Sequence, residues 1–248
     1  MTRECDPTKC QSHTRLLARV PAVNRVDAVS VIGQPVAYGL GFLMLVLVVF
    51  TDSWARSLVT VAHEGGHMVM AIITGRGYSH FYLSDGGGGG TRGINTEWGI
   101  GDMAVTFVGY PMPCILGLGG ATVIRHGHTW SVLWAALILL LVAFFQAGSG
   151  SVEGGPLAQA VVLLAFLGVG WVALNGGPYL QVVVAVGLVW WMLIGGAYWA
   201  SVGLSRGEGS DAAVLARTTL IPGVVWHVLW ALIGTYALLV GGRYLLRG

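Results

Sequence analysis

The chain has 248 residues, 55% hydrophobic and only 10% charged, with a mean hydropathy of +0.73. Soluble domains carry about 25% charged residues and cannot hide this many apolar runs of spanning length, so the composition excludes a soluble fold and predicts an all-α polytopic membrane protein. A net charge of +2 from scattered basic residues gives nucleic acid nothing to bind.

Residues 1–30 are polar and basic, with Arg3, Lys9, Arg15, Arg19 and Arg25, and lack the apolar core of a cleavable signal peptide. They read as a mobile cytoplasmic tail ahead of a transmembrane domain over 31–248. Cys5, Cys10 and His13 form a loose trio, and Cys114 sits alone in an apolar run, so no disulfide framework is implied.

Apolar runs then predict six to seven crossings, beginning with Val36–Phe50 and Trp54–Gly75. The second run carries His63-Glu64-Gly65-Gly66-His67, an HExxH pattern. On a helix, positions i and i+4 share one face, so both imidazoles can bind one Zn²⁺ while Glu64 is left to act on water. Ionisable groups in an apolar run are costly, by about 2.5–3.5 kcal/mol at a span centre, and usually mark function. The two adjacent glycines suggest close helix packing.

After this run, Tyr78 to Leu83 is rich in β-formers and is followed by Ser84-Asp85 and a run of glycines, which predicts a short β-hairpin with a return through Thr91–Thr96; a linker is the alternative. His80, Phe81, Tyr82 and Leu83 are the candidate substrate-binding residues, because a strand edge near a metal can hold an extended backbone by strand addition. Further crossings are expected at Ile100–Ile124, Trp130–Gln146, Leu157–Leu174, Tyr179–Ala200 and Asp211–Leu246. His126 and His128 read as solvated loop residues, and Asn175-Gly176-Gly177-Pro178 as a tight turn. Trp54, Trp98, Trp130 and Trp199 fall near span ends, where interfacial anchoring is the default role.

Taken as seven crossings with the N-terminus inside, Arg76, Arg92, Arg206 and Arg217 join the tail's basic residues on the cytoplasmic side, leaving Arg56, Arg125, Arg243 and Arg247 outside. The positive-inside rule then favours an N-in, C-out arrangement with the histidine pair nearer the cytoplasm.

A catalytic zinc needs three protein ligands and an open position. Among the few acidic residues Asp211 is the best placed, at the start of the last apolar run, although it could equally serve as a helix-start charge; Asp102 and Asp85 are the other candidates. His227 lies 16 residues beyond Asp211. That is about 24 Å along a straight helix, too far to share a metal.

Arg56 to His67 followed by Thr74-Gly75-Arg76, then Phe107-Val108-Gly109-Tyr110-Pro111, and finally Ser210-Asp211-Ala212-Ala213 with Leu215 to Thr218, Pro222 and Trp226, resemble the site-2 proteases, intramembrane zinc metallopeptidases, in their compact prokaryotic branch. The resemblance implies that Asp211 is the third zinc ligand, that Glu64 is the general acid and base, and that the substrates are membrane proteins met within the lipid bilayer of a prokaryotic cytoplasmic membrane. The broader family follows an Asn-x-x-Pro turn with Leu-Asp-Gly. Here Asn175 to Pro178 is followed by Tyr179-Leu180-Gln181 without an aspartate, so Asn175 reads as a turn residue. A metal-ion or proton transporter and a non-catalytic zinc-binding membrane protein are the alternative readings. Transport expects polar positions spread along a path through several spans, whereas this chain concentrates its ionisable groups in one helix and near span ends.

Overall fold

The computed structural model describes residues 31–85, 87–93, 99–148, 155–202 and 210–247. The tail with Cys5, Cys10 and His13, and Trp98, lie outside these. Among the described residues are the helices α1 (Gln34–Phe50), α2 (Asp52–Ile73), α3 (Ile100–Val108), α4 (Pro111–Arg125), α5 (Thr129–Gly148), α6 (Pro156–Asn175), α7 (Pro178–Val202), α8 (Asp211–Thr219) and α9 (Gly223–Arg247), with an antiparallel pair β1 (Tyr78–Leu83) and β2 (Gly89–Gly93) after α2. The protein is therefore a helical membrane bundle with one small hairpin.

Prolines divide two runs that hydropathy alone reads as continuous. Pro111 has no N–H to offer Phe107 and its ring crowds that carbonyl, so α3 ends at Val108 and α4 restarts with proline in its first turn, bent by 62°. The expected last span breaks likewise: α8 stops at Leu220 in the left-handed region, φ 62°, and Pro222 precedes α9. The glycine run also behaves differently from expectation. The return strand begins at Gly89, pairing Leu83 with Gly89, Tyr82 with Gly90 and Phe81 with Thr91. A Cβ at Gly89 would stand 2.9 Å from Thr60 Cγ2, so only glycine lets this strand lie against α2.

Helices α5, α6, α7 and α9 are long and apolar enough to cross a membrane, and α3 with α4 makes a fifth crossing if the bent pair counts as one. α7 is the hub: 61% of its apolar window is buried, against 22–28% for the other three. Helix α1, of 17 residues, sits at the short limit for a crossing.

Side-chain contacts assign the ends of these helices to two faces. Gln34 Nε2 donates to the Leu246 carbonyl at 3.3 Å, and the Arg125 guanidinium lies 4.5 Å over the Tyr244 ring. The start of α1 and the ends of α4 and α9 thus share a terminal face. At the opposite face, Arg56 lies 4.8 Å over the Trp199 ring near the end of α7. A Cβ at Gly196 would meet Pro113 Cβ at 3.1 Å, which brings the start of α4 there too. The Gly155 N–H donates to the Leu83 carbonyl at 2.8 Å, joining the hairpin tip to the start of α6. The chain thus reaches this face at the end of α1 and leaves it at the start of α4. Helix α2, the hairpin and α3 together form an excursion that begins and ends on one side. Four or five helices of crossing length, with α1 at the short limit, come near the lower of the expected numbers, and α2, which carries the polar stripe, is not among them.

Candidate metal centre

Helix α2 turns its polar residues inward. Ser57, Thr60, Glu64 and His67 are 3–9% exposed, whereas Ile72 and Ile73 are 60% and 71% exposed. A helix with this inverted distribution is stable only where the surroundings are apolar and the polar stripe meets partners. It ends in a Schellman turn, with Gly75 at φ 67°, the Gly75 N–H donating to the Ile72 carbonyl and the Arg76 N–H to the Ala71 carbonyl.

On that stripe, the HExxH spacing brings His63 Nε2 and His67 Nε2 to 3.1 Å of each other. Asp211 Oδ2 lies 3.1 Å from the first and 3.4 Å from the second. Ser210 explains how Asp211 is available: its hydroxyl accepts the Ala213 N–H and caps α8, so the neighbouring carboxylate need not. Among the described residues this trio is the one group of three His, Cys, Asp or Glu side chains whose ligand atoms converge, all within 4.8 Å.

The convergence has a direct electrostatic meaning. His67 Nδ1 donates to the Val105 carbonyl at 2.6 Å, since a carbonyl can only accept. In the neutral ring this leaves a lone pair at Nε2, aimed at His63 and Asp211. Asp211 Oδ2 is buried and receives no hydrogen bond. Electron-pair donors brought this close repel unless a proton or a metal cation lies between them, and three of them converging on one point fit a metal ion. Val105 is in the last turn of α3, where carbonyls lack intrahelical partners, so the break at Pro111 supplies the group that orients His67.

Gly109, at that break, lies flat on the imidazoles: a Cβ there would stand 2.5 Å from His67 Nε2 and 2.7 Å from His63 Cε1. Tyr110 closes one wall, its ring edge-on to His63 at 4.8 Å and stacked on Trp230 at 4.5 Å. His227 stands behind Tyr110 with ring centroids 6.0 Å apart. The straight-helix distance set it too far away, because the chain turns back at Pro222; it still lies outside the converging trio.

Glu64 faces the hairpin. Thr91 Oγ1 donates to Glu64 Oε2 at 2.7 Å, and Thr60 Oγ1 donates to the Gly87 carbonyl at 2.7 Å. A cavity of about 720 Å³ runs along this surface, lined by Glu64, both histidines, Asp211, Tyr82 and Thr91, with Arg56 and Arg76 also in its wall. Of the strand residues singled out from sequence, Phe81 and Leu83 are buried in the core, Tyr82 lines the cavity, and His80 is half-buried outside its lining. Asp102 is engaged elsewhere, 3.2 Å from Arg76, and Asp85 accepts the Leu157 and Ala158 N–H groups at 2.9 and 3.1 Å. Asn175 ends α6 with its amide donating to the Trp171 carbonyl, the position of a turn residue. Trp199, expected at an interface, lines the cavity beneath Arg56.

A membrane-embedded helical bundle with a three-donor, metal-type site beside a buried glutamate defines the class of protein. The sequence model of the family described as Peptidase M50B-like matches residues 36–241, and the chain belongs to that family, the site-2 protease family of intramembrane metallopeptidases. Neither the curated proteins nor the solved structures offer a match to the chain.

Proposed function

We propose that this chain is an active zinc metalloendopeptidase that hydrolyses peptide bonds of membrane-embedded protein substrates, the reaction of regulated intramembrane proteolysis, in a prokaryotic cytoplasmic membrane with its N-terminal tail in the cytoplasm. The observation that carries the reading is the triangle of His63 Nε2, His67 Nε2 and Asp211 Oδ2, with sides of 3.1, 3.1 and 3.4 Å. Tetrahedral zinc with N and O ligands near 2.0–2.2 Å spaces its donors about 3.3–3.5 Å apart, close to what these residues offer. Bound there, zinc supplies Lewis acidity towards water and a carbonyl oxygen.

The chain's own residues do the rest. His63, His67 and Asp211 hold the ion, with the Val105 carbonyl fixing the His67 ring. Glu64, 3% exposed, takes the proton of the attacking water on its carboxylate and passes a proton to the leaving amine. The substrate must be locally extended, since a helix hides its peptide bonds in its own hydrogen bonds. The β1 segment His80-Phe81-Tyr82-Leu83 holds that stretch, with Tyr82 the side chain that lines the cavity.

The test is elemental analysis of purified protein together with cleavage of single-span peptides in the same micelles. Glu64→Gln is expected to keep one zinc and lose cleavage by about 10²–10⁴-fold, the usual scale of general acid–base catalysis. His67→Ala is expected to lose both. Full cleavage by Glu64→Gln would remove the proposed chemistry.

A further inference from the structure

A general base works through one carboxylate oxygen while the other is held, and in this structure the hold comes from the hairpin. Thr91 Oγ1 stands 2.7 Å from Glu64 Oε2 and 3.5 Å from the Glu64 carbonyl. A hydroxyl has one proton, so the shorter, charge-assisted contact takes it. Thr91 is not free to drift. It pairs across the sheet with Phe81, which is 1% exposed, and the turn leading into its strand is tied to α2 by the Thr60 hydroxyl on the Gly87 carbonyl at 2.7 Å. The hairpin tip is fixed in turn to the start of α6 through Asp85 and through the Gly155 N–H on the Leu83 carbonyl. Gly89 presses on the same glutamate, its Cβ position 3.3 Å from Glu64 Cγ.

We propose that Thr91 is the positioning residue for Glu64, so that the hairpin sets the direction of the general base as well as bordering the cavity. This rests on the metallopeptidase reading of the site. The hydroxyl acts on the rotamer of Glu64 and touches neither the metal-type trio nor the reacting atoms.

A small peptidyl hydroxamate tests it without a known substrate. Such a probe chelates a metal through two oxygens and hands its hydroxyl proton to a neighbouring base, so its affinity reports where the Glu64 carboxylate points. Titration calorimetry on the zinc-loaded full chain in micelles compares wild type with Thr91→Val, Thr91→Ser and Glu64→Gln. A hydrogen bond to a charged group corresponds to roughly 10- to 100-fold in an equilibrium. Thr91→Val is therefore expected to bind at least about tenfold more weakly, at unchanged zinc content. Thr91→Ser, which keeps the hydroxyl, is expected to restore binding. If Thr91→Val does not fold, Thr91→Ala set against Thr91→Ser makes the same comparison. Wild-type affinity in Thr91→Val alongside weakened binding in Glu64→Gln overturns this proposal alone, as does equal weakening in Thr91→Ser. A wild-type protein that holds no zinc overturns the metallopeptidase reading and the proposal with it.

Discussion

At the scale of single residues, the site depends on what is missing as much as on what is present. Gly109 has no Cβ because the two imidazoles occupy that space, 2.5 Å and 2.7 Å away. Histidine rings packed between a helix break and Tyr110 cannot retreat as the far end of a flexible side chain could. Gly109→Ala is therefore expected to tilt the rings off their common centre and weaken zinc by about 10- to 100-fold, the scale seen when ligand orientation is lost. Zinc titration against a competing chelator measures this, with helical circular dichroism unchanged; undiminished affinity would mean that the rings do not need this wall. The spacing of His63, Glu64 and His67 was legible in the sequence because it follows from helix geometry alone. The orientation of His67 was not, because its partner is the Val105 backbone carbonyl, and every residue has a carbonyl. Asp211 was legible as a candidate but ambiguous with a helix cap until Ser210 was seen to take that role.

At the scale of elements, the hairpin and the helix breaks carry the lesson. Pro111 and Pro222 stand in plain view, yet continuous hydropathy reads through them, and the turn at each was hidden until the chain was seen to fold back. The glycine run misled for the opposite reason. Glycine is a poor strand former in general, but Gly89 and Gly90 pair in β2 where α2 and the Tyr82 ring come close. What fixes the hairpin is a helix cap supplied from elsewhere in the chain: Gly155 has no side chain to cap α6, and Asp85 Oδ1 accepts the Leu157 and Ala158 N–H groups in its stead. Removing an N-cap carboxylate costs about 1 kcal/mol. Asp85→Ala is expected to loosen both partners at once, seen as faster amide exchange over β1 and over the first turn of α6, with the first turn of α8 unaffected. Exchange that changes in α6 alone would show that the hairpin is held by its other contacts.

For the whole molecule, the sequence supplied the membrane class and the approximate number of crossings, but not their parity, because parity depends on whether α2 crosses. Its 22 residues would span about 33 Å as a helix, long enough for a bilayer. Length alone therefore allows a crossing, and the contacts require only that whatever crosses between the end of α1 and the start of α4 crosses back. Arg56 sits over Trp199 at the end of α7, while the first turn of α1 reaches the last turn of α9 through Gln34 and Leu246. With the end of α1 and the start of α4 on one face and the chain ends on the other, the path from α1 to α9 crosses an even number of times. Both ends of the chain then lie on one side of the membrane, against the N-in, C-out expectation, and under the proposed cytoplasmic N-terminus the C-terminus lies in the cytoplasm too. Fusions of green fluorescent protein and of alkaline phosphatase at each end measure this, since the first fluoresces only inside and the second is active only outside. The expected result is the same reporter active at both ends, and the other reporter active when inserted between α7 and α8. Opposite readings at the two ends would restore the seven-span path and turn α2 into a crossing. The parity also decides how the site is reached. In the even arrangement the metal-type trio and the hairpin lie towards the face opposite the chain ends, which with the proposed cytoplasmic N-terminus is the outer face and not the cytoplasmic one expected from sequence, and under the proposed function a substrate helix that unwinds there would present its extended stretch to β1.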